Sequence, residues 1–338
     1  MSSHEPSHVS FQGLTDLASA RLGGRALAAS DEFFAEKENL LRPEVPVSVP
    51  KKFTDRGQWM DGWESRRRRG PGHDWVLLRL GLPGVLRGVD IDTAHFLGNH
   101  PPYASLEALD WHGLEDVTPD VPEDAWTEIL GRSPLAPGSH NLFAIHNANR
   151  WTHLRLHIYP DGGVARFRAY GLVQPETGLV HSDEAIDLAS VVNGGMAVAC
   201  SDMFFSRMEN LLLPGPAQNM GDGWETRRRR GPGHDWVIVR LGKAGHLDCI
   251  EVDTSWFKGN FPEKVSIDGC HSDDHVDQLN WDRRAWTEIL PPQTLQADAL
   301  HTFRSEILET GPWTHLRMNI FPDGGVARLR AWGWVVEP

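Results

Sequence analysis

The sequence DGWESRRRRGPGHDWV, from Asp61 to Val76, decides the fold, because it returns almost unchanged as DGWETRRRRGPGHDWV from Asp222 to Val237. The two copies differ only at Ser65 and Thr226. Four consecutive arginines between two tryptophans, followed by a Gly-Pro-Gly-His turn, are too unusual to recur through composition alone. The chain is therefore an internal duplication, and its repeated polar residues are the first candidates for function.

The duplication extends over almost the whole chain. Further matching pairs are DLASARLGGRALAASDEFF with DLASVVNGGMAVACSDMFF, VDIDTAHFLGNHP with IEVDTSWFKGNFP, and WTHLRLHIYPDGGVARFRAYG with WTHLRMNIFPDGGVARLRAWG. A chain of 338 residues is long enough for two domains with separate cores. We predict a first repeat over residues 1–174, a polar linker containing Pro and Gly over residues 175–186, and a second repeat over residues 187–338.

The composition excludes several classes of protein. With 40% hydrophobic and 23% charged residues the chain is typical of globular proteins, and its formal net charge of −13 disfavours nucleic-acid binding. The three cysteines all lie in the second half without repeat counterparts, which predicts a reducing compartment and no disulfide framework. Because no apolar run could span a membrane and the first residues lack a signal-peptide pattern, we expect a cytoplasmic protein that binds no membrane.

Short apolar or alternating runs, separated by Gly, Pro and Asp turns, predict an all-β sandwich or barrel in each repeat. These runs in the first repeat are residues 75–80, 89–92, 152–158 and 164–169. Some helix is compatible with residues 31–41. The sequence therefore predicts two tandem β domains.

The sequence YPDGG, from Tyr159 to Gly163, predicts a β-hairpin. In a symmetric register Arg155 lies opposite Arg168, and the second repeat places Arg317 opposite Arg330 in the same way. Like charges that face each other destabilise a sheet, so an anion is expected between them. Internal acidic residues would satisfy these arginines, and so would the carboxylate of a small substrate, which suits the bidentate guanidinium fork.

Candidates for proton transfer lie at both ends of the repeated sequence. His73 and Asp74 place an imidazole next to a carboxylate, which suits proton transfer near neutral pH, although such an Asp can equally cap its own turn. Glu64 and His153 are further candidates. The corresponding residues of the second repeat are Glu225, His234, Asp235 and His315.

The sequences DTAHFLGN and DTSWFKGN supply candidates for substrate binding: Thr93 and Asn99, with Thr254 and Asn260 in the second repeat. Asparagine offers the donor and the acceptor that an amide or ureido ligand needs, but it is also an ordinary turn residue. No spacing matches a zinc site, although the histidines and acidic residues would allow a divalent metal. GxSxG, P-loop and GxGxxG sequences are absent.

Taken together, the duplicated DGWE-RRRR-GPGHDW, DTxxFxGNxP and WTHLRxxIxPDGGVAR sequences resemble allantoicase, the allantoate amidinohydrolase of purine catabolism. The resemblance runs from about Asp16 to Trp334. It implies two jelly-roll β-sandwiches of the galactose-binding-like type, a homo-oligomer, and hydrolysis of allantoate to ureidoglycolate and urea. On this hypothesis an arginine (Arg155, Arg168, Arg317 or Arg330) binds the carboxylate, Asn99 or Asn260 contacts a ureido group, and a histidine with an acidic residue transfers protons.

The repeats differ at three histidines: His95, His100 and His157 become Trp256, Phe261 and Asn319. If only one repeat is catalytic, these histidines favour the first. The alternative function is a tandem lectin-like module that binds a small ligand or glycan without turnover, which the 14 tryptophans would permit. Against it, most of the tryptophans lie within repeated strand sequences.

Overall fold

The computed structural model describes residues 11–113, 115–175, 184–272 and 285–336. The chain forms two compact units, Met1–Gln174 and Pro175–Pro338. Most of the predicted linker, residues 176–183, lies outside the described residues.

The first unit consists of strands and short 3-10 helices. Its strands are β1 (Thr15–Asp16), β2 (Arg25–Ala29), β3 (Phe53–Thr54), β4 (Gly57–Gln58), β5 (Trp63–Glu64), β6 (Asp74–Asp92), β7 (Tyr103–Leu109), β8 (Thr127–Pro134), β9 (His140–Ala144), β10 (Arg150–Tyr159), β11 (Gly163–Val164) and β12 (Arg166–Val173). Its 3-10 helices are Ala20–Leu22, Lys37–Leu41 and Glu123–Ala125. The helix that the sequence permits within residues 31–41 is therefore the short 3-10 segment.

In its described residues, the second unit repeats this order without the β3–β4 hairpin. Its strands are β13 (Ile186–Asp187), β14 (Met196–Cys200), β15 (Trp224–Glu225), β16 (Asp235–Asp253), β17 (Lys264–Cys270), β18 (Thr287–Thr294), β19 (Leu300–Phe303), β20 (Trp313–Phe321), β21 (Gly325–Val326) and β22 (Arg328–Val335). The 3-10 helices are Val191–Asn193, Met208–Leu212 and Met220–Asp222.

The long strand β6 organises the first unit. Its first half pairs with β2 and β10, its second half pairs with β9 and β12, and the register shifts between Arg79 and Gly84, where Pro83 lies. The strand order is β1-β12-β6-β10-β7-β8, and the second unit has the corresponding order around β16. Each unit is a jelly-roll β-sandwich of the galactose-binding-like type, as the resemblance implies.

The core of the first unit is formed by the alternating apolar residues of these strands. Leu154, Leu156 and Ile158 of β10 are fully buried. On the second half of β6 and on β12, the buried residues include Val89, Ile91, Phe167 and Ala169. The alternation follows from the two-residue period of a strand, which directs His153, Arg155 and His157 to the opposite face.

The predicted hairpin between β10 and β12 is wrong. β10 pairs with β6 and β7, whereas β12 pairs with β1 and β6, so β6 lies between the two strands. After the turn the chain first pairs with β5 through Gly163 and Val164. Arg155 therefore lies opposite Leu77 and Glu107, and Arg168 opposite Asp90. In the second unit Arg317 and Arg330 are separated by β16 in the same way.

Candidate active site

Glu64 is held in place by its neighbours on β5 and β11. Trp63 is fully buried, and its Nε1 donates to the carbonyl oxygen of Asp31 at 2.8 Å. Glu64 lies opposite Gly163. A Cβ atom on Gly163 would lie 2.0 Å from the Phe96 ring, so only glycine permits this close approach. The repeated Trp and Gly-Gly residues thus fix the position of the carboxylate.

Glu64 forms a hydrogen-bonded pair with Asn99, the residue predicted to contact a ureido group. Asn99 Nδ2 donates to Glu64 Oε1 at 2.7 Å, and the carbonyl oxygen of Asn99 accepts from the Gly163 amide at 2.8 Å. Burial raises the pKa of Glu64, although the Asn99 hydrogen bond opposes this shift. The carboxyl group therefore binds a proton more readily than an exposed glutamate does.

His73 belongs to a chain of hydrogen bonds with residues of β10 and β7. Its Nε2 lies 2.8 Å from Nδ1 of His157, whose Nε2 lies 2.7 Å from Oε2 of Glu107. The His73 ring also packs on Tyr159, with 4.5 Å between ring centroids. We call the three residues His73, His157 and Glu107 the histidine chain.

The histidine chain and the Glu64–Asn99 pair lie at the two ends of one short segment, Tyr159 to Gly163. His73 contacts Tyr159, and Glu64 pairs with Gly163. Between them, the Asp74 amide donates to the carbonyl oxygen of Pro160 at 3.1 Å. The repeated YPDGG turn therefore connects the two groups best suited to proton transfer.

Two other predicted proton-transfer residues point elsewhere. Asp74 is buried, accepts from Ser30 Oγ at 3.0 Å and pairs with Arg68 at 2.5 Å. Among the described residues, no hydrogen bond joins Asp74 to His73, because consecutive strand residues project to opposite faces. His153 is buried beside Thr152, and burial lowers its pKa to about 4, so its imidazole is neutral near pH 7.

Thr93 and Arg168 bind the chain's own backbone. The Thr93 hydroxyl donates to the carbonyl oxygen of Ala136 at 2.6 Å, which anchors a loop. Arg168 donates to the carbonyl oxygen of Pro43 at 3.2 Å and lies 3.5 Å from the carboxylate of Asp16. Both residues stabilise loops, and the structure does not bring them to the histidine chain.

Arg155 lies beside the histidine chain but is occupied by internal acidic residues. Its Nε donates to Glu107 at 2.7 Å, and its two terminal nitrogens bind Glu123 in a bidentate fork, with one contact of 3.0 Å. The guanidinium also stacks on Trp126, 4.7 Å from the ring centroid. Internal acidic residues therefore satisfy Arg155 in the structure, which is one of the two predicted alternatives. The Glu123 side chain nevertheless remains 80% exposed.

The second unit keeps most of this arrangement. Asn260 donates to Glu225 at 2.5 Å, and His234 Nε2 lies 3.3 Å from Oδ1 of Asn319, whose Nδ2 donates to Asp268 at 2.9 Å. Arg317 also donates to Asp268. The remaining predicted residues contact the same kinds of partner as their copies: Asp235 contacts Ser201 and Arg229, Thr254 contacts Gln296 and Ala299, Arg330 contacts Leu213 and Asp187, and His315 contacts Thr314.

The four arginines of the repeated sequence divide into two kinds. Arg66 pairs with Asp31 and stacks on Phe33, and Arg68 pairs with Asp74. Arg67 and Arg69 are exposed and form no ion pair among the residues that the structure describes.

Sequence reasoning missed Glu107, which ends the histidine chain. It lies on β7 directly opposite Arg155. The alternation YASLEAL places Tyr103, Ser105 and Glu107 on one face, which was the available signal, but only the strand order shows that this face meets His157.

The described residues contain neither a metal-binding group of side chains nor a membrane-spanning helix. Within the described ranges, no group of three or more His, Cys, Asp or Glu side chains is arranged to hold a metal ion. In the same ranges, no helix is long and apolar enough to cross a membrane.

Comparison with known proteins identifies the family. The allantoicase repeat matches residues 15–174 and again residues 186–336. A "Probable allantoicase" of Pseudomonas aeruginosa is 49% identical over 96% of this chain and 97% of its own, and the allantoicase of Dictyostelium discoideum is 47% identical over 93% of this chain and 85% of its own. The crystal structure of allantoicase from Saccharomyces cerevisiae superposes with a TM-score of 0.81 at 38% identity, covering 96% of this chain and 95% of that one. The chain belongs to the allantoicase family.

Proposed function

We propose that this protein hydrolyses allantoate to ureidoglycolate and urea. The family match over both units supports this function, and so do relatives of almost equal length that carry the name allantoicase. The observation that carries the mechanism is the Tyr159–Gly163 segment, which has the histidine chain at one end and, at the other, the half-buried carboxyl group of Glu64 with its raised pKa.

The reaction needs one base and one acid. Water attacks the central carbon of allantoate and loses a proton, while the C–N bond to the departing urea breaks and its nitrogen gains a proton. We assign the base to His73 and the acid to Glu64, whose pKa is raised by burial. Asn99, which contacts Glu64, offers amide groups to a ureido substituent. Solvent returns the proton from the histidines to Glu64 after product release.

The assay follows both products. Purified protein incubated with allantoate is expected to release urea and ureidoglycolate in equal amounts. Reactions without added metal and with Mn²⁺ should be run in parallel. Absence of both products under all conditions would contradict the proposed function, and binding of allantoate without products would favour the alternative of a binding module.

Arg155 is the candidate for binding the carboxylate of allantoate in the first unit. Its guanidinium already binds Glu123, so the substrate would compete with this residue. If allantoate must displace Glu123, the change Glu123→Gln is expected to lower KM about two- to fivefold, as removal of a competing ion pair worth roughly 0.5–1 kcal/mol predicts. Steady-state kinetics measures the change.

Asp124→Asn is the matched control, since it removes the same charge from the same 3-10 helix, and no ion pair joins Asp124 to Arg155 in the described part of the chain. An unchanged KM in Glu123→Gln would leave Arg155 a structural residue. In the second unit we assign the equivalent role to Arg317, which stacks on Trp286 and pairs with Asp268.

We also propose a cytoplasmic homo-oligomer. Cys200, Cys249 and Cys270 are free thiols, which fits a reducing compartment. Phe204 and Phe205 of the second unit are 62% and 61% exposed, and exposed aromatic pairs are typical of interfaces. Cell fractionation tests the location, and light scattering, which should give a multiple of the chain mass, tests the assembly.

A further inference from the structure

The hydrogen bonds of the histidine chain fix the positions of its protons. The Glu107 carboxylate only accepts, so Nε2 of His157 must carry the hydrogen and its Nδ1 must hold a lone pair. That lone pair accepts from Nε2–H of His73 at 2.8 Å. The neutral His73 ring therefore keeps its own lone pair on Nδ1, which has no hydrogen-bond partner among the described residues. The hydrogen bonds to His157 and Glu107 thus fix the tautomer of His73 and leave its Nδ1 able to accept a proton.

Both imidazoles are neutral at rest. Burial is the largest cause of the lowered pKa of His73; repulsion that a protonated His157 would exert and the positive charge of Arg68 add to it, and Asp74 opposes it. Burial also lowers the pKa of His157, partly offset by Glu107. Arg155 and Glu123 also act on the pair, and Arg132 lies 4.5 Å from the centroid of the Tyr159 ring, which packs on both imidazoles. A proton taken up by His73 can then move on to His157, next to the Glu107 carboxylate.

In the second unit the hydrogen bonds from His234 to Asn319 and from Asn319 to Asp268 have the same donors and acceptors in order, but Asn319 cannot transfer a proton. Asn319 accepts from His234 with Oδ1 and donates to Asp268 and Ser266 with Nδ2, as a neutral His157 accepts and donates in the first unit. An amide has no basic nitrogen near neutral pH, so it reproduces the orientation of the histidine without its proton affinity. His234 therefore also has its lone pair on Nδ1, but Asn319 cannot accept a proton from its Nε2.

We propose that His157 and Glu107 relay the proton that His73 takes from water, and that most of the turnover therefore takes place in the first unit. In the relay, Nδ1 of His73 binds the proton, the Nε2 proton of His73 moves to Nδ1 of His157, and the resulting imidazolium is stabilised by Glu107. His157 and Glu107 are positioning residues, since they act through His73. The proposal rests on the allantoate reaction proposed above.

The test replaces His157 of the histidine chain by asparagine, the residue that the second unit has at this position. His157→Asn is expected to lower kcat about ten- to hundredfold, less than complete loss of a general base. The acid limb of the pH profile of kcat/KM should also move to lower pH. In the wild type two coupled histidines share the proton, so their joint apparent pKa exceeds that of His73 alone. A purely structural role would lower activity without moving this limb.

Two further variants complete the experiment. Asn319→His supplies the missing histidine between His234 and Asp268, so when it is added to His157→Asn it is expected to restore part of kcat. Glu107→Gln, which removes the charge that stabilises the imidazolium, should shift the acid limb in the same direction as His157→Asn and serves if that variant fails to fold. Circular dichroism confirms folding.

The outcomes separate the two proposals. Wild-type protein without allantoate turnover overturns the proposed function itself. Active wild type with an unmoved acid limb in His157→Asn and Glu107→Gln overturns the relay alone. If Asn319→His added to His157→Asn restores no activity in a folded protein, the missing histidine does not explain the difference between the units, and that part of the proposal is overturned.

Discussion

Replacing His73 with glutamine is expected to lower kcat for allantoate by about 10²- to 10⁴-fold, the usual contribution of a positioned general base. The glutamine amide can still donate to Nδ1 of His157, so the packing behind the site is kept. What is lost is the lone pair that accepts the proton of the attacking water. Because this interaction is needed in the transition state, KM should change little. Initial rates of urea release measure both constants.

His234→Gln is the matched change in the second unit, and its effect should be much smaller. Equal losses from the two substitutions would mean that both units turn over substrate. A His73→Gln protein with wild-type kcat would exclude His73 as the base and leave Glu64 and His157 as the candidates near the Tyr159–Gly163 segment.

The duplication and the all-β architecture were predictable because they are local properties. The repeated sequences divide the chain into two units, and the two-residue period of β10 separates Leu154 and Leu156 from Arg155 and His157. Each of these features follows from residues that are close in sequence.

The strand order was not predictable from local sequence. The YPDGG turn favoured a hairpin, but pairing of β6 with both β10 and β12 outweighs that local preference. The arginines expected to face each other therefore meet Glu107 and Asp90 on neighbouring strands.

The chemical partner of His73 was missed for a related reason. The adjacent Asp74 looked like the partner, although strand alternation already places neighbouring side chains on opposite faces. The actual partners are His157 and, through it, Glu107, which join the site only when β10 and β7 pair.

The buried pair between Asp61 and Arg166 predicts the largest effect on stability. Their side chains are 6% and 3% exposed, and Arg166 Nη2 lies 2.9 Å from Asp61 Oδ2. Arg166 also donates to the carbonyl oxygen of Glu44 at 2.9 Å, so this arginine ties the segment before β3 to the sheet. Asp61→Asn removes the counter-charge that contacts the buried guanidinium and is expected to cost about 3–5 kcal/mol in the free energy of unfolding of the first unit.

Urea unfolding at pH 7 measures this loss, and Arg25→Gln is the control. Arg25 pairs with Asp116, but their side chains are 57% and 39% exposed, so its removal should cost no more than about 1 kcal/mol. Acid provides a second check. Although burial opposes the shift, hydrogen bonds from Arg166 and Val47 lower the pKa of Asp61, so its contribution is complete above the unfolded pKa and is lost as pH falls through the folded one. The stability difference between wild type and Asp61→Asn should therefore shrink in acid, and a difference that stays constant would show that the lost stability comes from packing and not from the charge.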